Sequence, residues 1–199
     1  MASPTLLNVY PQENYQFGEK PAVAERSAEE RLARRERRLA AEGARRTVSA
    51  VMLVHSHGHP HVLLLQQAGG LFALPGGRLK PGEGAFEALQ RKLRSKLCPT
   101  SAALAVRSFD VGELLAVWHR PHLDSDAYPY PLPHVAREAE TNSVYLVRLP
   151  EKCFLAVPSN WKLVAVPLID LHRADPRFSS LLAALPAVLS RFTLNNLDA

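Results

Sequence analysis

Apolar residues recur at helical spacing in two segments of the chain and form short runs elsewhere. Four apolar residues between positions 86 and 97 lie three or four apart, which predicts an amphipathic helix over residues 84–97. A second helix is predicted over residues 180–192, where Pro186 kinks or restarts it. Aliphatic and β-branched runs predict strands over residues 47–55, 61–67, 104–119, 143–149 and 162–170. Strands and helices mixed in this order indicate an α/β fold.

A strongly charged segment precedes the first predicted strand. Residues 25–46 contain eight arginines and five glutamates. Ser27 and Glu30 have the spacing of a capping box, and Gly43 can end a helix, so a helix is predicted over residues 28–42. Its apolar stripe is thin. The helix therefore either lies in solvent, with Glu–Arg pairs four residues apart, or presents arginines to phosphates or bases.

Length and composition fit one folded domain with an extension. The chain has 199 residues, of which 47% are hydrophobic and 22% charged, and this composition excludes general disorder. We divide it into an N-terminal arm with the basic helix, residues 1–46, and a domain of residues 47–199. The longest mostly apolar run, residues 181–189, is shorter than the roughly 20 residues of a membrane-spanning helix. We therefore expect no membrane partner.

Cysteine content and net charge add two expectations. The two cysteines are too few for a disulfide framework, and the first residues lack the pattern of a secretory signal, so we expect a reducing intracellular compartment. The net charge of +5 permits an acidic partner such as nucleic acid but does not demonstrate one.

The most specific motif lies in the glycine- and proline-rich loop that leads into the helix of residues 84–97. Gly77, Glu83, Arg91 and Leu93 fall at positions of the Nudix box. The chain thus resembles the Nudix family, and the resemblance implies a Nudix-like α/β/α sandwich.

The metal-binding residues of that box are replaced here. In Nudix hydrolases, glutamates of this helix hold Mg²⁺ or Mn²⁺, which bridges phosphates and activates water. Lys92, Ser95 and Lys96 stand at those positions, and an ammonium group cannot ligate a cation. We therefore expect no metal, no cofactor and no catalytic residue, with Glu83 and Arg91 forming a structural ion pair.

A hydrolase of dinucleoside polyphosphates or caps remains an alternative interpretation. It needs carboxylates from outside the box to converge near Gly82. The mid-chain candidates are Asp110, Glu113, Glu138 and Glu140.

A second resemblance covers residues 8–192. The segments NVYPQENYQFGEK, HPHVLLLQ, LPGGRLKPGE, YPYPLPH and EKCFLAVPSNWKLVAVPL occur in this order. They resemble the small Nudix-fold subunit of the pre-mRNA 3′-end cleavage factor I, the family of cleavage and polyadenylation specificity factor subunit 5. The resemblance implies a nuclear homodimer that binds the RNA element UGUA, carries a larger RRM-containing subunit and influences poly(A)-site choice. A dimeric scaffold that has lost RNA specificity is the other alternative.

The same resemblance implies several RNA-binding residues. Glu25 and Arg31 stand at the positions of a base-reading glutamate and arginine near the start of the basic helix. A carboxylate can accept hydrogen bonds from guanine, and a guanidinium can bond to a base or stack on it. Phe72 matches one of two adjacent aromatic residues before the paired glycines, and Leu74 matches a neighbour.

Four RNA-facing positions depart from the family. Leu71 stands where the first, base-stacking aromatic is expected, and Ser49 replaces a glutamate that contacts the leading uridine. Phe178 replaces a tyrosine, and Ser179 replaces a glycine. Since a base-stacking aromatic contributes ~1–3 kcal/mol, these changes predict weaker or altered RNA recognition.

Two other groups of residues suggest a ligand site but also have a simpler structural interpretation. Trp118 and Arg120 could contact a nucleotide, although a core tryptophan is the simpler interpretation of the first. Four alternating histidines suggest zinc but need not converge across a turn; they are His55, His57, His59 and His61.

Overall fold

The computed structural model describes residues 5–24, 27–67, 70–101, 105–172 and 175–197. Within these ranges the α-helices are α1 (Ala28–Glu42), α2 (Ala85–Leu97), α3 (Ser180–Ala183) and α4 (Leu185–Leu189). Short 3₁₀ turns lie at Gln12–Asn14 and Leu168–His172. The strands are β1 (Thr5–Val9), β2 (Tyr15–Lys20), β3 (Arg45–Val51), β4 (Leu53–Ser56), β5 (His59–Gln66), β6 (Phe72–Ala73), β7 (Gly76–Arg78), β8 (Asp110–Arg120), β9 (Glu140–Arg148), β10 (Cys153–Pro158), β11 (Lys162–Pro167) and β12 (Phe192–Asn196).

Two four-stranded sheets form the centre of the fold. In the first, with the order β7-β3-β9-β8, β3 is antiparallel to β7 and parallel to β9, and β8 is antiparallel to β9. In the second, β5 pairs antiparallel with β11, β4 and β6. Two parallel pairs, β1 with β12 and β2 with β10, attach the N-terminal arm.

Alternate residues of the strands enter two separate hydrophobic clusters. From Ala50 to Val54, successive residues face first the cluster beneath α2 and then the cluster beneath α3 and α4. Val62 to Leu65 on β5 alternate in the same way. Because strand side chains point to opposite faces in turn, helices cover both faces of the strands. The predicted α/β/α sandwich is confirmed.

The predicted basic helix is confirmed with its cap. The Ser27 hydroxyl accepts from the Glu30 amide at 3.1 Å, and the Glu30 carboxylate accepts from the Ser27 amide at 3.3 Å. Gly43, at φ 76°, ends the helix in a conformation that favours glycine. No residue of α1 is buried, and Glu42 ties the end of the helix to Arg78 through a salt bridge.

Several predicted boundaries were wrong. The strand predicted over residues 104–119 begins at Asp110, and Leu104 lies outside the described residues. The strand predicted over residues 162–170 ends at Pro167, where a 3₁₀ turn follows. No strand was predicted in the arm, but β1 and β2 form there because distant strands pair with them.

The C-terminal helical segment follows the prediction. It divides into α3 and α4, and Pro186 lies in the first turn of α4, where a missing amide hydrogen costs nothing. Phe86, by contrast, is 54% exposed although it belongs to the predicted apolar stripe of α2. Within the described ranges, no helix has both the length and the apolar character needed to cross a membrane.

Candidate functional site

A cleft of about 530 Å³ opens between α1, the β3-β9-β8 part of the first sheet and the start of α3. Arg31 and Arg35 of α1 form one wall, and the loop around β6 forms another. Trp118 lies at its base and is only 5% exposed, which agrees with its interpretation as a core residue. The cleft thus joins segments that are far apart in sequence.

Polar side chains of neighbouring strands line the base of the cleft. The Ser49 hydroxyl donates to Asn142 Oδ1 at 3.1 Å. The Glu140 carboxylate accepts from the Thr47 hydroxyl at 2.9 Å and lies 3.8 Å from Arg120. These bonds orient the polar groups that line the cavity, which can donate hydrogen bonds to a polar ligand or accept them from it.

The loop around β6 supplies the apolar wall. Leu71 is 60% exposed at the rim, whereas Leu74 is buried. Phe72 packs on Phe178 with a ring-centroid distance of 5.2 Å, and the Arg177 guanidinium lies 5.8 Å from its ring centre. The Phe72 amide also donates to the Arg177 carbonyl at 3.3 Å. Phe72 is therefore held by Phe178 and Arg177 and remains partly exposed.

The structure brings together most of the residues implied by the resemblance. Phe178 lies behind Phe72 rather than on the cleft surface, and Glu25 lies outside the described residues. The other implied residues line the cleft, namely Arg31, Ser49, Leu71, Phe72, Leu74 and Ser179.

Sequence reasoning did not assign Arg35, Glu140 or Asn142 to an RNA-binding site, although all three line the cleft. Glu140 was named only as a carboxylate of the alternative hydrolase. Arg120, considered above as a nucleotide contact, also lines the cleft and lies 3.8 Å from Glu140. The register that places Trp118 opposite Asn142 and Arg120 opposite Glu140 joins β8 to β9 across a long loop, so no local pattern shows it.

The box residues form the expected ion pair. Arg91 donates through Nε and Nη2 to the two carboxylate oxygens of Glu83, both at 2.6 Å. The Lys80 amide also donates to Glu83, at 2.8 Å. These hydrogen bonds hold the pKa of Glu83 at about 2. A Cβ at Gly77 would lie 3.0 Å from Lys92 Cδ, so glycine there admits the lysine stem.

A second cavity, the basic pocket, lies between α1, β7 and α2 and has a volume of about 340 Å³. Lys92 and Lys96 line it, whereas Ser95 is exposed and is not among its lining residues. Burial and, to a lesser extent, neighbouring cations lower the pKa of Lys92 and lower that of Lys96 to about 8. The Lys96 ammonium lies 5.3 Å from the centre of the Trp161 ring.

The residues at the box positions do not fit a divalent metal. Two ammonium groups repel a cation, and a hard cation needs oxygen ligands. The mid-chain carboxylates pair with other side chains instead: Asp110 lies 3.5 Å from Arg148, Glu113 3.4 Å from Arg191, and Glu138 2.8 Å from His119 Nδ1. Among the described residues, no three His, Cys, Asp or Glu side chains gather closely enough to hold a metal ion.

The alternating histidines take separate positions in the β4-β5 hairpin. His55 is buried, with Nε2 at 2.9 Å from the Leu197 carbonyl oxygen. His61 Nδ1 lies 2.8 Å from the carbonyl oxygen of His59.

The fold and the box together define a Nudix-type domain in which two lysines occupy positions that hold the metal in hydrolases.

Comparisons with known proteins agree with this class. A model of the Nudix family, described as a nucleotide hydrolase, matches residues 5–192. The solved structure of a Nudix hydrolase from M. smegmatis has a TM-score of 0.50 at 17% identity, covering 76% of this chain and 89% of that one. At this identity the structural similarity supports a shared fold and carries no conclusion about function.

Two curated relatives give a narrower group. The pre-mRNA cleavage factor Im 25 kDa subunit 2 of Arabidopsis thaliana is 44% identical over 100% of both chains. The cleavage and polyadenylation specificity factor subunit 5 of Dictyostelium discoideum is 38% identical over 90% of each. The chain belongs to the Nudix family and, within it, to the family of these cleavage factor subunits.

Proposed function

We propose that this chain is a non-catalytic, RNA-binding subunit of the nuclear machinery that cleaves and polyadenylates mRNA 3′ ends. In this role it recognises UGUA-type elements and helps to set poly(A)-site choice. The names of its relatives support a place in mRNA 3′ processing. The observation that carries the RNA-binding part is the cleft, where residues from separate segments form one surface suited to a base.

The cleft offers each of the contacts that single-stranded RNA needs. Phe72 presents an aromatic face on which a base can stack, and Leu71 extends this wall as an apolar rim. Asn142 and Ser49 offer donors and acceptors to a base edge. Arg31 and Arg35 place positive charge where the backbone phosphates enter.

The absence of catalysis is the second part of the proposal. Lys92 and Lys96 replace the carboxylates that hold the metal in Nudix hydrolases, and the Glu83 carboxylate is engaged by Arg91. Among the described residues, no group of carboxylates lies together near the box to position a metal that activates water.

The assembly is the third part. By resemblance, the chain forms a homodimer and binds a larger RRM-containing cleavage factor subunit.

A fluorescence anisotropy titration tests RNA recognition. We expect UGUA RNA to bind more tightly than a scrambled strand of the same length at 0.15 M salt, since much of the discrimination comes from the cleft. Phe72→Ala should weaken UGUA binding by ~1–3 kcal/mol. Phe86→Ala is the matched control, because Phe86 is 54% exposed and does not line the cleft.

Either of two results would contradict this proposal and favour another function. Equal affinity for both RNAs, unchanged by Phe72→Ala, would favour the scaffold that has lost RNA specificity. Phosphate release from dinucleoside polyphosphates in Mg²⁺ or Mn²⁺, stopped by a chelator, would favour the hydrolase.

A further inference from the structure

The amine of Lys96 has an unusual environment. Lys96 lines the basic pocket and is partly buried, and within the described part of the chain it forms no hydrogen bond or salt bridge. Its ammonium instead lies 5.3 Å from the centre of the Trp161 ring. An ammonium that loses water without gaining a polar acceptor is unfavourable, so this environment disfavours the charged form of the amine.

Neighbouring cations act in the same direction. Lys92 precedes Lys96 by one turn of α2, a spacing at which like charges repel. None of the described residues that line the pocket is acidic. Glu42 pairs with Arg78 and Glu140 lies 3.7 Å from Arg45, so carboxylates outside the lining offset only part of the charge. Six arginines from α1, β3 and β7 also line the pocket, namely Arg31, Arg34, Arg35, Arg38, Arg45 and Arg78.

The cavity beside Lys96 has room for a small molecule. Its volume of about 340 Å³ is at the lower end of the ~300–1,000 Å³ of small-molecule sites. Its apolar lining is modest and includes Leu39, Leu123 and Ala139. Because the rest of the lining is mainly cationic, a molecule that reaches Lys96 is favoured when it is compact and carries a negative charge.

We propose that Lys96 is a nucleophilic lysine that binds small carbonyl compounds bearing a carboxylate, by forming an imine with them. The neutral Nζ adds its lone pair to the carbonyl carbon, and a proton moves from nitrogen to oxygen to give a carbinolamine. The hydroxyl then takes up a proton and leaves as water, and loss of the second nitrogen proton completes the C=N bond.

The surrounding arginines hold the carboxylate of the same molecule, since a guanidinium group can donate two parallel hydrogen bonds to it. The reaction releases only water and needs no metal and no oxidant. It takes place in the basic pocket and does not depend on RNA recognition in the cleft.

The pKa of Lys96 supports this chemistry. Burial, followed by the charges of Lys92 and Arg45, lowers this pKa to about 8. At pH 7.4 roughly a fifth of the Lys96 side chains are therefore neutral, against roughly 0.1% for a lysine of ordinary pKa. Desolvation and an adjacent cation are two means by which proteins activate a lysine as a nucleophile.

Reductive trapping with glyoxylate tests the site. The full chain is treated at pH 7.4 with limiting glyoxylate and sodium cyanoborohydride, which reduces an imine to carboxymethyl-lysine, and labelled lysines are quantified by peptide mass spectrometry. We expect Lys96 to be labelled on the order of tenfold faster than Lys152, which is exposed and lies outside the pocket. This gain is smaller than the ratio of neutral fractions, because the nucleophilicity of an amine falls with its pKa.

Acetaldehyde is the matched control for the carboxylate, since it presents an aldehyde without the charge. The preference for Lys96 over Lys152 should be at least threefold smaller with acetaldehyde than with glyoxylate, because the arginines then have no anion to hold.

Lys92→Gln tests the activation of the amine. Removing the neighbouring cation raises the pKa of Lys96, so labelling of Lys96 at pH 7.4 should fall with both aldehydes. Lys162→Gln removes the same charge from an exposed position outside the pocket and should leave the labelling of Lys96 unchanged.

Three results would overturn the proposal. Labelling of Lys96 no faster than that of Lys152 would leave Lys96 with a packing role against Trp161. An equal preference with glyoxylate and acetaldehyde would mean that the pocket does not recognise a carboxylate. Unchanged labelling in Lys92→Gln would remove the neighbouring charge as the source of reactivity. None of these measurements involves RNA, so this proposal and the proposed function fail separately.

Discussion

The folded chain disfavours the charged form of Lys96, and this lowers the stability of the fold at neutral pH. Its pKa is about 8 in the folded chain and 10.5 in the absence of neighbours. Between these two values the unfolded chain holds a proton that the folded chain has released. The free energy of unfolding therefore increases with pH across this window, and below pH 8 the full penalty of a charged Lys96 applies.

Lys96→Met should accordingly raise the Tm at pH 7, because methionine keeps the contact with Trp161 and removes the charge. The gain over wild type should shrink as the pH rises towards 10, where Lys96 is neutral in the wild type as well. Differential scanning fluorimetry at several pH values measures both effects. Lys152→Met, at an exposed position, should show no such trend; an equal Tm gain at pH 7 and pH 10 would contradict the assignment.

Arg31 lines both the cleft and the basic pocket, whereas Arg37 lines neither and its Nε donates to the Ala33 carbonyl at 3.3 Å. Arg31→Ala should cost ~1–3 kcal/mol of UGUA binding and much less for a scrambled strand, because it removes a directional contact. Arg37→Ala removes the same charge from the same helix and should weaken both RNAs slightly and equally. Anisotropy titrations that show the same loss for both variants would leave only bulk charge as the cause.

Leu71 provides a test with the opposite sign. It lies at the rim of the cleft beside Phe72 and is 60% exposed, so Leu71→Phe can add a stacking surface without disturbing the core. We expect UGUA binding to strengthen, by up to the ~1–3 kcal/mol of one base stack. Leu6→Phe is the control, since Leu6 is equally exposed and lies on β1, outside the cleft. No change with Leu71→Phe would mean that no base reaches this rim.

At the scale of elements, the loop before α2 depends on one ion pair. Glu83 has a pKa of about 2, below its usual 4.5, because Arg91 and the Lys80 amide donate to the carboxylate. A lowered carboxyl pKa stabilises the fold above pH 4.5, and this contribution is lost as the pH falls towards 2.

Glu83→Gln should therefore lower the free energy of unfolding by a constant amount at neutral pH. The deficit relative to wild type should shrink as the pH falls towards 2, because the carboxyl of the folded chain then begins to take up a proton. Urea unfolding at pH 7, 4 and 2.5 measures this deficit. Glu87→Gln, on the exposed first turn of α2, is the control, and a deficit at pH 2.5 as large as that at pH 7 would exclude the ion pair as its source.

The sequence predicted those helices whose ends are set by residues within the same segment. The capping box and Gly43 fix both ends of α1 within the segment itself, and Pro186 marks the start of α4 in the same way. Strands β1 and β12 form only because they pair in parallel across almost the whole chain. The residues of these two strands carry no local pattern that distinguishes them from irregular segments.

The same difference between local and long-range signals applies to the residues of the candidate site. Resemblance supplied the residues that match a family motif, such as Arg31 and Phe72. Asn142 reaches the cleft because β3 and β9 pair in parallel and bring it within 3.1 Å of Ser49. This pairing joins strands more than ninety residues apart, so neither spacing nor composition could reveal it.

At the scale of the whole molecule, the cleft and the basic pocket share part of their lining. Arg31 and Arg35 line both cavities, so α1 separates and connects them. Because no residue of α1 is buried, its position depends on contacts at its surface. The Glu42–Arg78 salt bridge links its C-terminal end to β7, whereas the capping box stabilises its first turn.

The assembly of the molecule is the last property that can be tested. For the proposed homodimer, light scattering at micromolar concentration should give about twice the 22.0 kDa mass of one chain. Two clefts in one particle should also favour an RNA with two UGUA elements, because the second binding event is then intramolecular.

With a spacer that can reach both clefts, an RNA with two UGUA elements should bind roughly 10²-fold more tightly than one with a single element. An RNA of the same length in which one element is scrambled is the control, since it keeps the total charge. The gain should disappear when the spacer is shortened until it cannot span the two clefts. A monomeric mass, together with equal affinity for the two RNAs, would contradict the dimer and leave each cleft to act alone.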